Sequence, residues 1–189
     1  RIQHYLEAHG VLGVLLIDVS QLRQIERYYG VEAFETIRER LGNLVRDLSK
    51  SFLDASEMAI TDGFGADELA IFIFRPRTDH LFYREELPSL VEAFHIHFSR
   101  QSTRIVYPYA RNVSRLPVGY SVLIHNSGLG VAGQILQSIS LAREDARLNA
   151  QIEHRRQRQQ IVQTILTENL RSVYQPIYQL ASQQVFGYE

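Results

Sequence analysis

The apolar run "VLGVLLIDV", from Val11 to Val19, constrains the fold of this chain more than any other stretch. Asp18 is its one charged residue, and the others are glycine or aliphatic side chains, several of them β-branched. A continuous run of this kind is typical of a strand that is buried on both faces. The sequence therefore predicts a buried strand that ends at Asp18.

A helical region and a hairpin are predicted after this strand. The pattern is helical from Ser20, with a brief interruption at Gly30, and apolar side chains then recur at the spacing of one helix face. They are Phe34, Ile37, Leu41, Leu44, Val45 and Leu48. Next, "EMAITDGFGADELAIFIFRP" predicts two strands joined by a tight turn at Gly65 and Ala66, and Pro76 ends the second strand.

The following segments predict a second helix, a further strand and a long final helix. The stretch "LFYREELPSLVEAFHIHFSR" is amphipathic, with Pro88 near the helix start. The stretch "LPVGYSVLIHNSG" predicts a strand, and residues 103–110 are interpreted as its antiparallel neighbour. The long helix is predicted from about Ala132 to Leu170.

The resulting order, β-α-β-β-α-β and then a helix, indicates an α/β (α+β) fold of the split βαβ, ferredoxin-like type. The sheet is expected to be mixed and flanked by helices. Right-handed crossovers would make its parallel pairs, and the central hairpin would make an antiparallel pair.

Composition excludes some classes of protein. The chain has no cysteine, which rules out disulfides and cysteine-zinc sites and is compatible with a cytoplasmic location. No apolar run reaches the length of a membrane span. The net charge of −1 argues neither for nor against a nucleic-acid surface. No DNA or RNA partner is predicted.

Three acidic residues are expected to converge. Asp18 ends the first strand, and Asp67 and Glu68 stand at the mouth of the hairpin. Three carboxylates in one place repel each other unless a positive charge lies between them, and Mg²⁺ prefers such oxygen ligands. Enzymes of phosphoryl or nucleotidyl transfer also use carboxylates and a divalent metal ion, and the metal offsets the charge of the transferring phosphate. The alternative is that these are ordinary acidic residues at a turn and a strand end.

Two motifs in this order resemble a known family. The stretch "LLIDVSQLRQIERYYG", followed by "GFGADELAIFIF", resembles the GGDEF domain of bacterial diguanylate cyclases, and "LPVGYSVLI" is similar to the final core strand of that family. The resemblance covers roughly residues 1 to 150. It implies a palm-like sheet, GTP as ligand, Mg²⁺ as cofactor and cyclic di-GMP as product.

The resemblance also implies roles for individual residues. Asp18, the carbonyl of Val19, and Glu68 would bind the metal. Asp67 would bind the metal or, in an active enzyme, help to activate the attacking hydroxyl. Gly65 matches the first signature glycine, where the nucleotide approaches the backbone.

Several positions depart from the family pattern. Ser20 replaces the second Asp of the strand motif, and Glu26 and Glu35 stand at positions that contact the guanine base. Arg147 is matched to a phosphate-binding lysine. Ala66 replaces the second signature glycine. It fits a type II′ turn without strain, but its methyl group would crowd the nucleotide phosphates.

A second resemblance lies at the end of the chain. The stretch "LRSVYQPIYQLASQQVFGYE" resembles the start of an EAL domain, which hydrolyses cyclic di-GMP. Gln175 would contact nucleotide and Glu189 would bind metal; the alternative is an arbitrary β-hairpin. The expected domains are a degenerate GGDEF domain at 1–150, a connecting helix at 151–169 and a truncated EAL start at 170–189.

Three functions remain open from the sequence. The first is a regulatory module of a bacterial cyclic di-GMP signalling protein, which binds GTP and Mg²⁺ without turnover and controls an attached EAL domain. The second is an active diguanylate cyclase that joins two GTP molecules as a homodimer. The third is a dimerisation scaffold that binds no nucleotide. The altered signature favours a fragment that is not itself an enzyme.

Overall fold

The chain divides into two units, residues 1–151 and residues 152–189. The computed structural model describes residues 1–50, 58–62, 67–111, 115–167, 173–180 and 184–189. Among the helices in those ranges, none is both long enough and apolar enough to cross a bilayer.

The elements follow in chain order, with a 3₁₀ turn at Ser20–Leu22 and a π-helical turn at Phe82–Glu86. The helices are α1 (Ile2–His9), α2 (Arg23–Tyr29), α3 (Val31–Ser49), α4 (Leu87–Val106) and α5 (Val131–Leu166). The strands are β1 (Val11–Asp18), β2 (Met58–Asp62), β3 (Glu68–Ile73), β4 (Val118–Ile124), β5 (Pro176–Gln179) and β6 (Gln184–Tyr188).

The fold class predicted from the sequence is confirmed. In the described part of the first unit, four strands form one sheet in the order β2-β3-β1-β4, flanked by helices and followed by a long helix. The expectation of a mixed sheet was wrong, because every neighbouring pair is antiparallel. The crossover does leave β1 and β2 running in the same direction, but β3 lies between them.

Strand β1 is buried on both faces, as its apolar run predicts. Alternate side chains of a strand point to opposite faces. Leu15 and Ile17 belong to the core layer that includes α3 and α4, whereas Val14 and Leu16 belong to the layer that includes α1 and α5. The central strand thus divides two hydrophobic layers.

The strand expected at residues 103–110 was wrong. Helix α4 continues to Val106, and a turn with a cis peptide bond between Tyr107 and Pro108 follows it. Ser102, Ile105 and Val106 are buried on the helix. Their three- and four-residue spacing places them on one helical face, so packing favours helix over strand here.

Helix α5 is attached to the edge strand β4 by polar contacts. Ser121 Oγ donates to the carbonyl of Ser138 at 2.8 Å. The backbone N–H of Tyr120 donates to Asp145 at 3.0 Å, and Asn149 donates to the carbonyl of Val118 at 3.2 Å. These contacts fix the position of the middle of α5 against the sheet.

The buried side chain of Gln134 makes three hydrogen bonds to backbone groups of the loop between β4 and α5. It accepts from the N–H of Asn126 at 2.8 Å and donates to the carbonyls of Asn126 and Leu129, both at 2.9 Å. We expect Gln134→Ala to lower the free energy of unfolding by about 2 kcal/mol, because it leaves these backbone groups unpaired. Urea denaturation measures the change. The exposed Gln137 on the same helix gives the control, and an equal loss from Gln137→Ala would contradict this role.

Candidate functional site

The predicted acidic residues lie where the end of β1 meets the start of β3. Asp18 is directly opposite Glu68 in the antiparallel ladder, so their side chains lie on the same face, with Cβ atoms about 5 Å apart. The N–H of Val19 donates to the carbonyl of Asp67 at 2.7 Å. We call Asp18, Asp67 and Glu68 the acidic corner. The structure brings its two segments together although some fifty residues separate them.

Glu68 is held by an arginine from α5. The guanidinium of Arg143 donates from Nε and Nη2 to the two carboxylate oxygens of Glu68, at 2.5 and 2.9 Å. The Glu68 side chain is only 12% exposed and that of Arg143 is 29% exposed. The pair is bidentate, with two parallel hydrogen bonds, and this is the strong geometry for an arginine and a carboxylate. Both oxygens of Glu68 therefore already have a cationic partner.

Arg143 also lies within electrostatic reach of Asp18. Its hydrogen bonds to Glu68 raise the pKa of Arg143, and the negative charges of Glu68 and Asp18 raise it further, against the opposing effect of partial burial. Asp18 itself accepts the N–H of Ser20 at 2.8 Å. Arg143 is therefore hydrogen-bonded to Glu68, and its charge also interacts with that of Asp18.

Asp67 is paired with a different arginine. Arg23, from the first turn of α2, donates to Asp67 through Nε and to Glu26 through Nη1, the latter at 2.9 Å. The hydrogen bond to Asp67 raises the pKa of Arg23. Because neighbouring strand residues point to opposite faces, Asp67 and Glu68 are directed to different partners. The third carboxylate of the corner is therefore turned toward α2.

A magnesium ion does not fit these residues as they are arranged. In the described ranges, no group of three acidic, histidine or cysteine residues could hold a metal. Glu68 and Asp67 each have an arginine partner, and the carbonyl of Val19 accepts the N–H of Leu22 at 2.8 Å. Ser20 supplies no carboxylate where the resemblance implies one. The metal roles of Asp18, Val19, Asp67 and Glu68 stay predictions of the resemblance.

The other predicted nucleotide contacts are dispersed. Glu35 is exposed on α3, with Arg38 at 3.6 Å, and Glu26 is engaged by Arg23. Arg147 is exposed on α5. Gly65 and Ala66 lie outside the described residues, so their predicted turn and nucleotide contact stay predictions.

The sequence argument missed the arginine that contacts the corner. It assigned the phosphate role to Arg147, but the structure places Arg143 of the same helix at Glu68. The two residues are four positions apart and therefore share a helix face. That spacing was the available signal, but which arginine reaches the corner depends on where α5 crosses the sheet.

The second unit contains the two motif positions of the predicted EAL start. Strands β5 and β6 form an antiparallel hairpin. Beyond the strand ends, Gln175 and Glu189 exchange two backbone hydrogen bonds, at 2.9 and 3.0 Å. Their proposed roles toward nucleotide and metal stay predictions.

Comparisons with known proteins identify the fold. No protein-family model matches the chain, and no curated protein matches it. The chain is similar to the GGDEF domain of a Pseudomonas aeruginosa protein, with a TM-score of 0.58, 18% identity and coverage of 79% of this chain and 85% of that one. It is also similar to the GGDEF domain of DgcB from Caulobacter crescentus, solved with c-di-GMP, with a TM-score of 0.51 and 7% identity over 77% of this chain and 80% of that one. At such identities the likeness shows a GGDEF-like fold.

Proposed function

We propose that the first unit is a degenerate GGDEF domain, a regulatory module of a bacterial cyclic di-GMP signalling protein that makes no cyclic di-GMP itself. In this proposal it controls an EAL domain that begins at the hairpin of the second unit. The known relatives of this fold supply the signalling context, and the residues of the acidic corner supply the argument against turnover.

The observation that carries the proposal is the engagement of Glu68 by Arg143. Both carboxylate oxygens accept hydrogen bonds from one guanidinium, and Asp67 is paired with Arg23. A cyclase would need these carboxylates to handle metal and to activate a hydroxyl. Carboxylates already paired with arginine are poorly suited to either role, since the arginine must first leave.

GTP is proposed as a weak ligand of this domain. Arg23 and Arg143 carry the planar donor groups that suit phosphate. The donor atoms that contact Asp67 and Glu68 can turn to a phosphate only by releasing these carboxylates, and the acidic corner repels a polyanion. Binding should therefore be weak.

We expect the protein to form no cyclic di-GMP when it is incubated with GTP and Mg²⁺, and calorimetric titration with Mg·GTP to give a dissociation constant of about 1 mM or weaker. Chromatography of the reaction mixture against a heat-denatured sample measures the first result. Product formation, or a micromolar dissociation constant, would contradict the proposal and favour the active homodimeric cyclase.

A separate experiment distinguishes the regulatory module from a scaffold that binds no nucleotide. In a protein that carries a complete EAL domain after this unit, GTP should change the rate of cyclic di-GMP hydrolysis. Arg143→Met should alter that response, whereas Arg46→Met, at an exposed position of α3 beside Asn43, should not. If neither GTP nor either substitution changes the rate of hydrolysis, the result would favour the scaffold.

A further inference from the structure

We infer that two copies of this chain associate through α5, with the two helices antiparallel and related by a two-fold axis at the level of Ala150. The contact is made by three exposed apolar side chains, Leu141, Leu148 and Ile152, which we call the α5 stripe. The inference goes beyond the proposed function, because it requires neither nucleotide nor an EAL domain.

The α5 stripe lies along one side of a single uninterrupted helix. Leu141, Leu148 and Ile152 are 48%, 54% and 54% exposed. At 3.6 residues per turn, their spacings of seven and four residues bring them to within about 40° of each other around the helix axis. Ala142 and Ala146, which pack against the sheet, lie on a different side of the helix. Exposed apolar residues with this spacing are typical of a helix that pairs with another helix.

The charges on α5 indicate that the other helix is a second copy. Two acidic residues, Glu144 and Asp145, lie before Ala150, and two basic residues, Arg155 and Arg156, lie after it. In an antiparallel pair centred on Ala150, Asp145 lies opposite Arg155 of the other copy. In the same register, Glu144 lies opposite Arg156. Two-fold symmetry makes each of these contacts twice, so the surface is complementary to itself.

The same register brings the apolar residues together. Leu148 of each copy lies opposite Ile152 of the other, because the two positions are equally far from Ala150. Leu141 lies opposite the exposed Gln159, toward the ends of the contact. The apolar contact is therefore at the centre of the interface and the charged pairs flank it, which is the usual arrangement at protein interfaces.

The charge pattern also excludes a parallel pair in register. In that arrangement Asp145 would meet Asp145 of the other copy, and Arg155 would meet Arg155. Like charges at such positions repel, and repulsion of this kind sets the orientation of paired helices. The antiparallel pair is thus the arrangement that satisfies both the apolar and the charged residues of α5.

Sedimentation velocity of the whole protein, without nucleotide, tests the inference. Wild type should dimerise with a dissociation constant on the order of 10 µM, as suits a small interface. Leu148→Asp should raise this constant at least about tenfold, because it places an unpaired charge at the centre of the contact. Leu136→Asp is the matched control. Leu136 is 48% exposed on the opposite flank of α5, so this variant should dimerise as wild type does.

Charge reversal tests the antiparallel register. Glu144→Arg alone and Arg156→Glu alone should each raise the dissociation constant about threefold or more, because like charges then meet across the interface. The double variant should return to within about twofold of wild type, because the pair is the same with its signs exchanged. The two positions are three turns apart on one helix and cannot contact each other within a chain. In a parallel pair the double variant would not recover.

Three outcomes overturn the inference. The first is a protein that remains monomeric at about 200 µM, more than ten times the expected constant, which would mean that a different chain covers the stripe. The second is a dimer that Leu148→Asp weakens no more than Leu136→Asp does. The third is a folded double charge-reversal variant that fails to recover. Circular dichroism confirms that each variant is folded.

These results are independent of the test for cyclic di-GMP. Product formation would end the proposed regulatory function, but the comparison between Leu148→Asp and Leu136→Asp would still decide whether the α5 stripe joins two copies. Conversely, a monomeric wild type would end this inference without affecting the proposal that the first unit makes no cyclic di-GMP.

Discussion

Replacing Gly119 with alanine is expected to destabilise the first unit by about 3 kcal/mol or more, at the upper end of the usual cost of overpacking. A Cβ atom at this position would lie 2.2 Å from the backbone nitrogen of Ala146 and 2.3 Å from the carbonyl oxygen of Ala142. Both are backbone atoms of α5, so the clash can be relieved only by moving the helix away from β4. Urea denaturation followed by circular dichroism measures the loss.

The same substitution elsewhere provides the control. Gly42 lies within α3, and an added Cβ there meets nothing within 4 Å. Gly42→Ala should raise the free energy of unfolding by about 0.5–1 kcal/mol, because alanine loses less backbone freedom in a helix. Equal effects of the two substitutions would show that α5 does not pack against β4 in this way.

Replacing Phe72 with alanine should cost about 3–5 kcal/mol. Phe72 is 1% exposed in the middle of β3, opposite Val14 of β1, and belongs to the core layer that includes α1 and α5. Truncation removes a large buried ring and leaves a cavity that strands on both sides prevent from collapsing. The change is measured by urea denaturation at constant temperature.

Ile124 gives the matched control for this second prediction. It is also a large apolar residue of the sheet, at the end of β4, but it is 62% exposed. Ile124→Ala should change the free energy of unfolding by no more than about 0.5 kcal/mol. If Phe72→Ala were as mild as Ile124→Ala, the layer between the sheet and α5 would not be the packed core described here.

Phe72→Ala and Gly119→Ala should both lower stability, but they should differ in their effect on the contact between Arg143 and Glu68. Phe72 lies on β3 four residues beyond Glu68, whereas Gly119 fixes the helix that carries Arg143. A shift of α5 would part Arg143 from Glu68. Gly119→Ala is therefore expected to expose the two cross-strand carboxylates in whatever fraction of the protein remains folded.

Local patterns in the sequence were sufficient to predict most of the helices and strands of the fold. The run at Val11–Asp18 predicted a strand buried on both faces, because an apolar run without polar alternation leaves no face for water. The order of helices and strands was enough to predict the fold class. The pattern failed at residues 103–110, where a short apolar stretch suits either helix or strand and packing decides between them.

The sequence by itself determined which residues carry charge and that Asp18 and Glu68 would sit at strand ends. Only the tertiary structure decided what neutralises them. Arg143 is 75 positions from Glu68 along the chain, and no periodicity links two residues so far apart. Their pairing depends on the close approach of α5 to Gly119, which is a property of the packed molecule, because a charge interacts with whatever the fold places beside it.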